Sequence, residues 1–290
     1  MALKIGFLGT GLMGTPMIRR LAAAGHQIRV WNRTPDRAAA LSPVAEVCAT
    51  AADAARDSDM VISMLLDGPV TRDVLEGLGV IAAMGKGGLL INMASVEPAT
   101  DIALAAKARA KGAGYLDAPV SGGVAGAEAG ALAILVGGSE ADFVRAEPFL
   151  RLMGRPTRIG ESGAGQAAKL ANQVIVGSTI AAVAEAFWLA EAAGCDLGLL
   201  REALRGGFAD SRILDLHGKR MVDGNFVPGG RAALQLKDLD NALALAAEKG
   251  LTLPVSRTAR EGYAGLVAMP DGADLDHAAY FLWLAEGARR

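Results

Sequence analysis

The chain has 290 residues, room for about two domains at roughly 150 residues each, and its 29 Lys+Arg and 31 Asp+Glu leave a net charge of −2. With 52% apolar and 21% charged residues it is not a disordered chain, and it has no general attraction for nucleic acid or anionic membrane. Cys48 and Cys195 lie far apart and make no CxxC, which fits the reducing cytoplasm; both are expected to pack as small apolar residues. His26, His217 and His277 are widely spaced, with no HExxH or Cys/His cluster, so no metal site is expected. The N-terminus lacks the basic region and cleavage site of a signal peptide. The longest apolar stretch, 174–194, is interrupted by Glu185 and Glu191, which predicts a buried helix rather than a membrane span.

In chain order, residues 3–8 are a run of β-formers closed by Gly9, and helical periodicity follows from about 12 to 24. Strands are expected at 27–31, weakly at 46–48, then at 59–65 and 88–93. Between them, Ala-rich helical segments begin at Pro35, near Ala51 and near Pro69. This alternation predicts right-handed βαβ units and a parallel sheet. A helix to Ala110 follows Pro98, then strands over 114–120 and 131–138. After about Gly160 the texture turns helical, over 164–193, 197–205, 211–222, 231–249 and 255–268. The expected division is an α/β domain over 1–162 and an all-α domain over 163–290, joined by a long interdomain helix.

Gly9, Gly11 and Gly14 form GxGxxG between a strand and a helix. The first glycine permits a tight turn, the second admits a pyrophosphate, and the third lets helix pack on strand. The helix N-terminus then offers free N–H groups to the phosphates. Thr10, Leu12 and Met13 complete this turn of a Rossmann-like dinucleotide site. The second strand ends in Trp31, Asn32, Arg33 and Thr34, with no carboxylate before Asp36 to bind a ribose 2′-OH. Arg33 suits a 2′-phosphate instead, with hydrogen bonds from Asn32 and Thr34, so NADP is the expected cofactor. NAD is the alternative if Arg33 only stacks on adenine. Met64, Leu65 and Leu66 end the fourth strand and are expected along the cofactor crevice. Lys169, Asn172 and Gln173 stand at i, i+3 and i+4 and share one helix face.

Four separated motifs agree: GTGLMGTPM (9–17), DAPVSGG (117–123), GAGQAAKLAN (163–172) and KDL (237–239). In this order, over nearly the whole chain, they resemble the β-hydroxyacid dehydrogenase family. That family includes 3-hydroxyisobutyrate dehydrogenases, tartronate semialdehyde reductases and glyoxylate/succinic semialdehyde reductases. The stretch 169–229 looks closest to the tartronate semialdehyde reductases, and Asn32-Arg33-Thr34 more like the NADPH-using glyoxylate/succinic semialdehyde group. There is one departure: Gly230 stands where the tartronate group carries an aromatic before Arg231, which predicts a wider pocket.

The resemblance implies that Lys169 is the general acid/base. It implies that Ser121, Gly122 and Gly123 bind the substrate carboxylate, assisted by Asn172, with Gln173 beside it. Ser95 then approaches the nicotinamide ribose, and Lys237 lies near the cofactor as the cation that lowers the pKa of Lys169. The implied function is reduction of tartronate semialdehyde (2-hydroxy-3-oxopropionate), glyoxylate or succinic semialdehyde to the hydroxy acid, by a homodimer or homotetramer. The alternatives are NAD-dependent oxidation of 3-hydroxyisobutyrate or L-serine, and a non-catalytic nucleotide-sensing protein. Lys169 disfavours an imine reductase, which shares the architecture but typically lacks that lysine.

Overall fold

A computed structural model describes residues 2–287. The β-formers pair as β1 (Lys4–Leu8), β2 (Gln27–Trp31), β3 (Glu46–Val47), β4 (Met60–Ser63), β5 (Leu89–Asn92) and β6 (Gly114–Asp117), all parallel in the order β3-β2-β1-β4-β5-β6. β4 and β5 are buried throughout, as strands covered on both faces must be. Ile5 and Phe7 enter the core on one face of the sheet and Leu8 that on the other, the period of two that a pleated strand imposes. The connecting helices start where local chemistry favours it. Pro35, Pro69 and Pro98 sit in first turns, and the side chains of Thr50 and Asp67 accept from Asp53 N and Val70 N at 3.0 and 2.9 Å.

The purely parallel sheet is corrected at one end. The strand expected over 114–120 breaks at Ala118 and Pro119 into β6 and β7 (Val120–Ser121), because proline cannot donate to a ladder. Both pair antiparallel with β8 (Leu132–Gly138), and β9 (Gly154–Gly160) adds parallel to β8. β9 was not expected, nor were the helices Gly123–Ala129, Glu140–Leu150 and Tyr280–Gly287.

The chain divides into two compact units, one up to Lys169 and the other from Leu170. The helix Ala164–Ala192 starts in the first and continues into the second. In the second unit it packs Ile180, Ala184 and Phe187 with Leu239, Tyr263 and Tyr280, and Tyr280 meets Tyr263 and Trp283 edge-on at 5.0 and 5.2 Å. This helix was expected to be buried. It is only partly so, with Ile175 and Leu189 exposed, although it is long and apolar enough to cross a membrane by length and composition. Cys195 is likewise exposed rather than packed, whereas Cys48 is buried. The segment expected as one helix over 211–222 contains a π-helical turn, Leu214–Gly218, before Lys219–Asp223.

Candidate active site

The strand order reverses between β1 and β4, which opens a crevice at the carboxyl ends of a parallel sheet. The glycine turn lies at this edge. Gly9 adopts φ +101°, and a Cβ there would stand 2.3 Å from the Met64 carbonyl oxygen. A Cβ on Gly14 would stand 2.0 Å from the oxygen of Gly9, so helix Gly14–Ala23 approaches the turn as closely as only glycine permits. A Cβ on Gly11 would meet nothing within 4 Å: its backbone faces open space, as a pyrophosphate requires. Thr10 is buried, and its hydroxyl has no hydrogen-bond partner among the described residues. An unengaged donor, an open glycine and a helix N-terminus together fit the diphosphate of a dinucleotide. Leu12 is exposed and Met13 half-buried beside them.

Asn32 does more local work than expected. Its Oδ1 accepts from Thr10 N at 3.1 Å and its Nδ2 donates to Thr34 O at 3.0 Å, so the amide ties the glycine turn to the end of β2. Arg33 and Thr34 are exposed there. Met64 and Leu65 are half-buried and Leu66 exposed after β4, and Ser95 is half-buried just beyond β5.

Within the first unit, neighbouring residues fix the start of the lysine motif. Asp117, at the end of β6, accepts from Gly163 N at 2.8 Å and Gln166 N at 3.0 Å, so its carboxylate caps the helix that carries Lys169. Gly165 lets that helix start lie against the sheet, since a Cβ there would stand 2.5 Å from the carbonyl oxygens of Asp117 and Leu135. Lys169, one turn on, is buried at 8% exposure. Four residues after Asp117, Ser121 ends β7, and Gly122 and Gly123, at φ +138° and +63°, turn the chain into the next helix with both glycines exposed.

Beneath this edge lies a buried polar network absent from the sequence reading. Asp101 accepts from Asn92 Nδ2 at 2.8 Å, Tyr115 OH at 2.5 Å and Gln166 Nε2 at 2.7 Å, and Asn92 Oδ1 accepts from Ser63 Oγ at 2.9 Å. Burial pushes the Asp101 carboxyl up to about 7, against the three hydrogen bonds and with nearby Asp117 adding to the rise. Burial also raises Asp117, opposed by its backbone donors. A carboxyl raised from an ordinary 3.8 to about 7 binds its proton more tightly folded than unfolded, so its contribution to stability is lost as pH rises across that window. Wild-type protein should therefore lose of the order of 2 kcal/mol between pH 5 and pH 8 that Asp101→Asn does not lose. Urea midpoints of both proteins at both pH values check this; parallel slopes would contradict it.

The second unit gathers Asn172, Gln173 and Lys237 through Asp238 of the KDL motif and through Gln235, which the sequence did not single out. Asn172 Nδ2 donates to Gln173 Oε1 at 2.8 Å, and Gln173 Nε2 donates to Asp238 Oδ2 at 2.8 Å and Gln235 Oε1 at 3.1 Å. Lys237 Nζ lies 3.2 Å from Asp238 Oδ1, so its charge is met by a carboxylate. Nearby in sequence, a Cβ on Gly230 would lie 3.3–3.7 Å from the His277 ring, so the imidazole packs against this glycine.

Two of the three histidines, His217 and His277, meet at Asp276, the three ligand atoms lying within 4.8 Å of one another. Asp276 already accepts from Gly229 N, Gly230 N and Ala278 N at 2.8, 3.1 and 3.0 Å, with Arg220 at 3.7 Å. It thus anchors the loop around Gly229. Burial pushes its pKa up, but His217, whose Nδ1 lies 3.5 Å from Oδ1, the His277 charge and the backbone donors hold it well below the carboxylate range. His26 accepts from Leu3 N at 3.3 Å and packs edge-on against Phe149.

Comparison with known proteins agrees with this architecture. Residues 4–177 match the family model described as the NAD binding domain of 6-phosphogluconate dehydrogenase, and 163–284 that of the NAD-binding of NADP-dependent 3-hydroxyisobutyrate dehydrogenase. The chain is 43% identical to 2-hydroxy-3-oxopropionate reductase of Escherichia coli (strain K12), over 96% of this chain and 95% of that one. It is 33% identical to 2-(hydroxymethyl)glutarate dehydrogenase of Eubacterium barkeri, over 97% and 95%. Among solved structures, Mycobacterium tuberculosis 3-hydroxyisobutyrate dehydrogenase with L-serine superposes at TM-score 0.90 and 35% identity, covering 98% of this chain and 99% of that one. The glycine turn, the capped lysine helix and these relatives lead to one conclusion: the chain belongs to the β-hydroxyacid dehydrogenase family and is a nicotinamide-dependent oxidoreductase.

Proposed function

We propose that the protein reduces a small carboxylate-bearing aldehyde to its hydroxy acid, with NADPH as the preferred cofactor. The observation that carries this reading is Lys169: a buried lysine, one turn beyond a helix start that Asp117 caps. Lysine is almost never fully buried without a partner or a task. A bound nicotinamide supplies the hydride. The Lys169 ammonium donates the proton to the developing alkoxide and stabilises its charge before transfer. The Ser121 hydroxyl and the N–H groups at 122–123 hold the substrate carboxylate. The 43% identity to a 2-hydroxy-3-oxopropionate reductase favours tartronate semialdehyde within this class, with glyoxylate and succinic semialdehyde as its other members.

Arg33 supports NADPH, because it stands exposed at the end of β2 where no carboxylate is present. Arg33→Ala should raise KM for NADPH about 10- to 100-fold, the worth of a charge-assisted bond to phosphate. The KM for NADH should change less than about threefold. An equal change for both cofactors would remove the phosphate from the argument.

A second reading, NAD-dependent oxidation of 3-hydroxyisobutyrate or L-serine, is favoured by the neighbouring structure with L-serine. Turnover by the purified protein decides between them. NADPH oxidation with tartronate semialdehyde, glyoxylate or succinic semialdehyde is expected. Turnover confined to NAD with 3-hydroxyisobutyrate or L-serine would overturn the reductase reading, and cofactor binding without turnover would favour a sensor. The working unit we propose is a cytoplasmic homodimer or homotetramer, in which a second copy covers exposed apolar residues such as Ile175, Leu189 and Leu199.

A further inference from the structure

Gln166 is fully buried, yet every polar atom of its side chain is used. Nε2 donates to Ala94 O at 2.8 Å and to Asp101 Oδ2 at 2.7 Å, and Oε1 accepts from Val96 N at 3.1 Å. Those backbone partners stand immediately before and after Ser95. The backbone N–H of Gln166 is spent on Asp117, at 3.0 Å. Lys169 follows three residues later, so Gln166 and Lys169 point to the same side of one helix. One amide therefore joins the loop that presents Ser95 to the helix that presents Lys169.

The rest of the network makes this joint stiff. Asp101, whose Oδ2 receives Gln166, is itself held through Oδ1 by Asn92 and Tyr115, and Ser63 holds Asn92. Side chains from β4, β5, β6 and helix Pro98–Ala110 thus converge on one point of the lysine helix. Apolar residues of similar volume would fill such a core at equal or lower cost in stability. What a fully satisfied network supplies instead is one defined geometry.

We propose that Gln166 is a positioning residue for hydride transfer, setting Ser95 and Lys169 in register through its bonds to Ala94, Val96 and Asp101. This rests on the reading of Lys169 as the acid and Ser95 as a nicotinamide-ribose residue. A displacement of about 1 Å in such a pair costs on the order of 100-fold in rate. The diphosphate is gripped elsewhere, at residues 9–14, so the loss falls on kcat and not on cofactor affinity.

Gln166→Met keeps the volume and removes all three side-chain bonds. In the full-length enzyme it should lower kcat about 30- to 100-fold and leave KM for NADPH within about threefold. The primary isotope effect on kcat with NADPH deuterated at the transferred position should rise, as hydride transfer becomes the slow step. A merely structural role would lower the folded fraction and leave the isotope effect unmoved. Gln166→Glu gives an independent readout if the Met variant does not fold. The introduced carboxyl still accepts from Val96 but, when ionised, cannot donate, and it faces Asp101. The other titratable groups around it are Asp117 and Tyr115 on β6 and Lys169 on its own helix. As pH falls and the carboxyl pair retains a proton, a donor returns. The kcat of this variant should recover through an ionisation that wild type lacks.

Wild-type kcat and isotope effect in a folded Met variant would overturn the proposal, as would a Glu variant without recovery at low pH. Lys169→Ala assayed alongside separates the two levels. Turnover near wild type there removes the reading beneath. A dead Lys169→Ala with unaffected Gln166 variants removes this inference alone.

Discussion

Lys169→Ala should lower kcat by about 10²–10⁴ and leave both the fold and the affinity for NADPH nearly unchanged. The magnitude is that of a general acid placed at the reacting oxygen. Its selectivity follows from where the other tasks are carried. The start of the helix is held by Asp117 through Gly163 and Gln166 and by the Gln166 side chain, none of which the substitution touches. We place the cofactor phosphates at the turn around Gly11, whose backbone faces open space. Because the acid acts in the transition state, kcat and kcat/KM should fall together. Lys169→Arg should remain slow, since a guanidinium holds its proton too tightly to deliver it. Steady-state rates with fluorescence titration of NADPH check all of these, and a loss confined to KM would contradict the role.

The largest effect on stability is expected at Asp117. Asp117→Ala should cost about 2–6 kcal/mol, because it leaves Gly163 N and Gln166 N buried without an acceptor, each worth about 1–3 kcal/mol. The same change should free the first turn of the lysine helix, so kcat should fall even under conditions where the protein stays folded. Asp117→Asn retains one good acceptor and should lose about half as much. Urea unfolding of the three proteins, with kcat measured well below the transition, tests this. A loss under about 1 kcal/mol for the alanine variant would show that another group takes over the cap.

The separation between what was legible in the sequence and what was not follows range. The glycine turn, β1 to β6 and the long helices are governed by local periodicity and by glycine and proline chemistry, and each stands close to its expected place. Helix Glu140–Leu150 has a local sign in the sequence: Ser139 caps it by accepting from Asp142 N, the Ser-x-x-acid pattern of a helix start. β9 gave no such sign, since its Gly-Arg-Pro-Thr-Arg sequence shows the polar alternation and proline tolerated only at an edge.

The chemistry of the site divides the same way. Lys169 and Ser121 stood out through motifs, whereas Asp101, Asn92 and Tyr115 sit in segments that read as ordinary strand and helix. Their meaning lies in distance: Gln166 reaches Ala94, 72 residues away, and Asp101, 65 residues away. The meeting of His217, Asp276 and His277 is of the same kind. Local spacing contains neither, because only the fold brings these residues together.

The most direct test of the central claim is chemical rescue of Lys169→Ala. NADPH oxidation in the presence of the aldehyde substrate would be followed while a small primary ammonium is titrated into the assay. A slow variant whose rate rises with ammonium concentration is expected, while the wild-type rate stays flat. A variant that turns over like wild type with no ammonium present would contradict it.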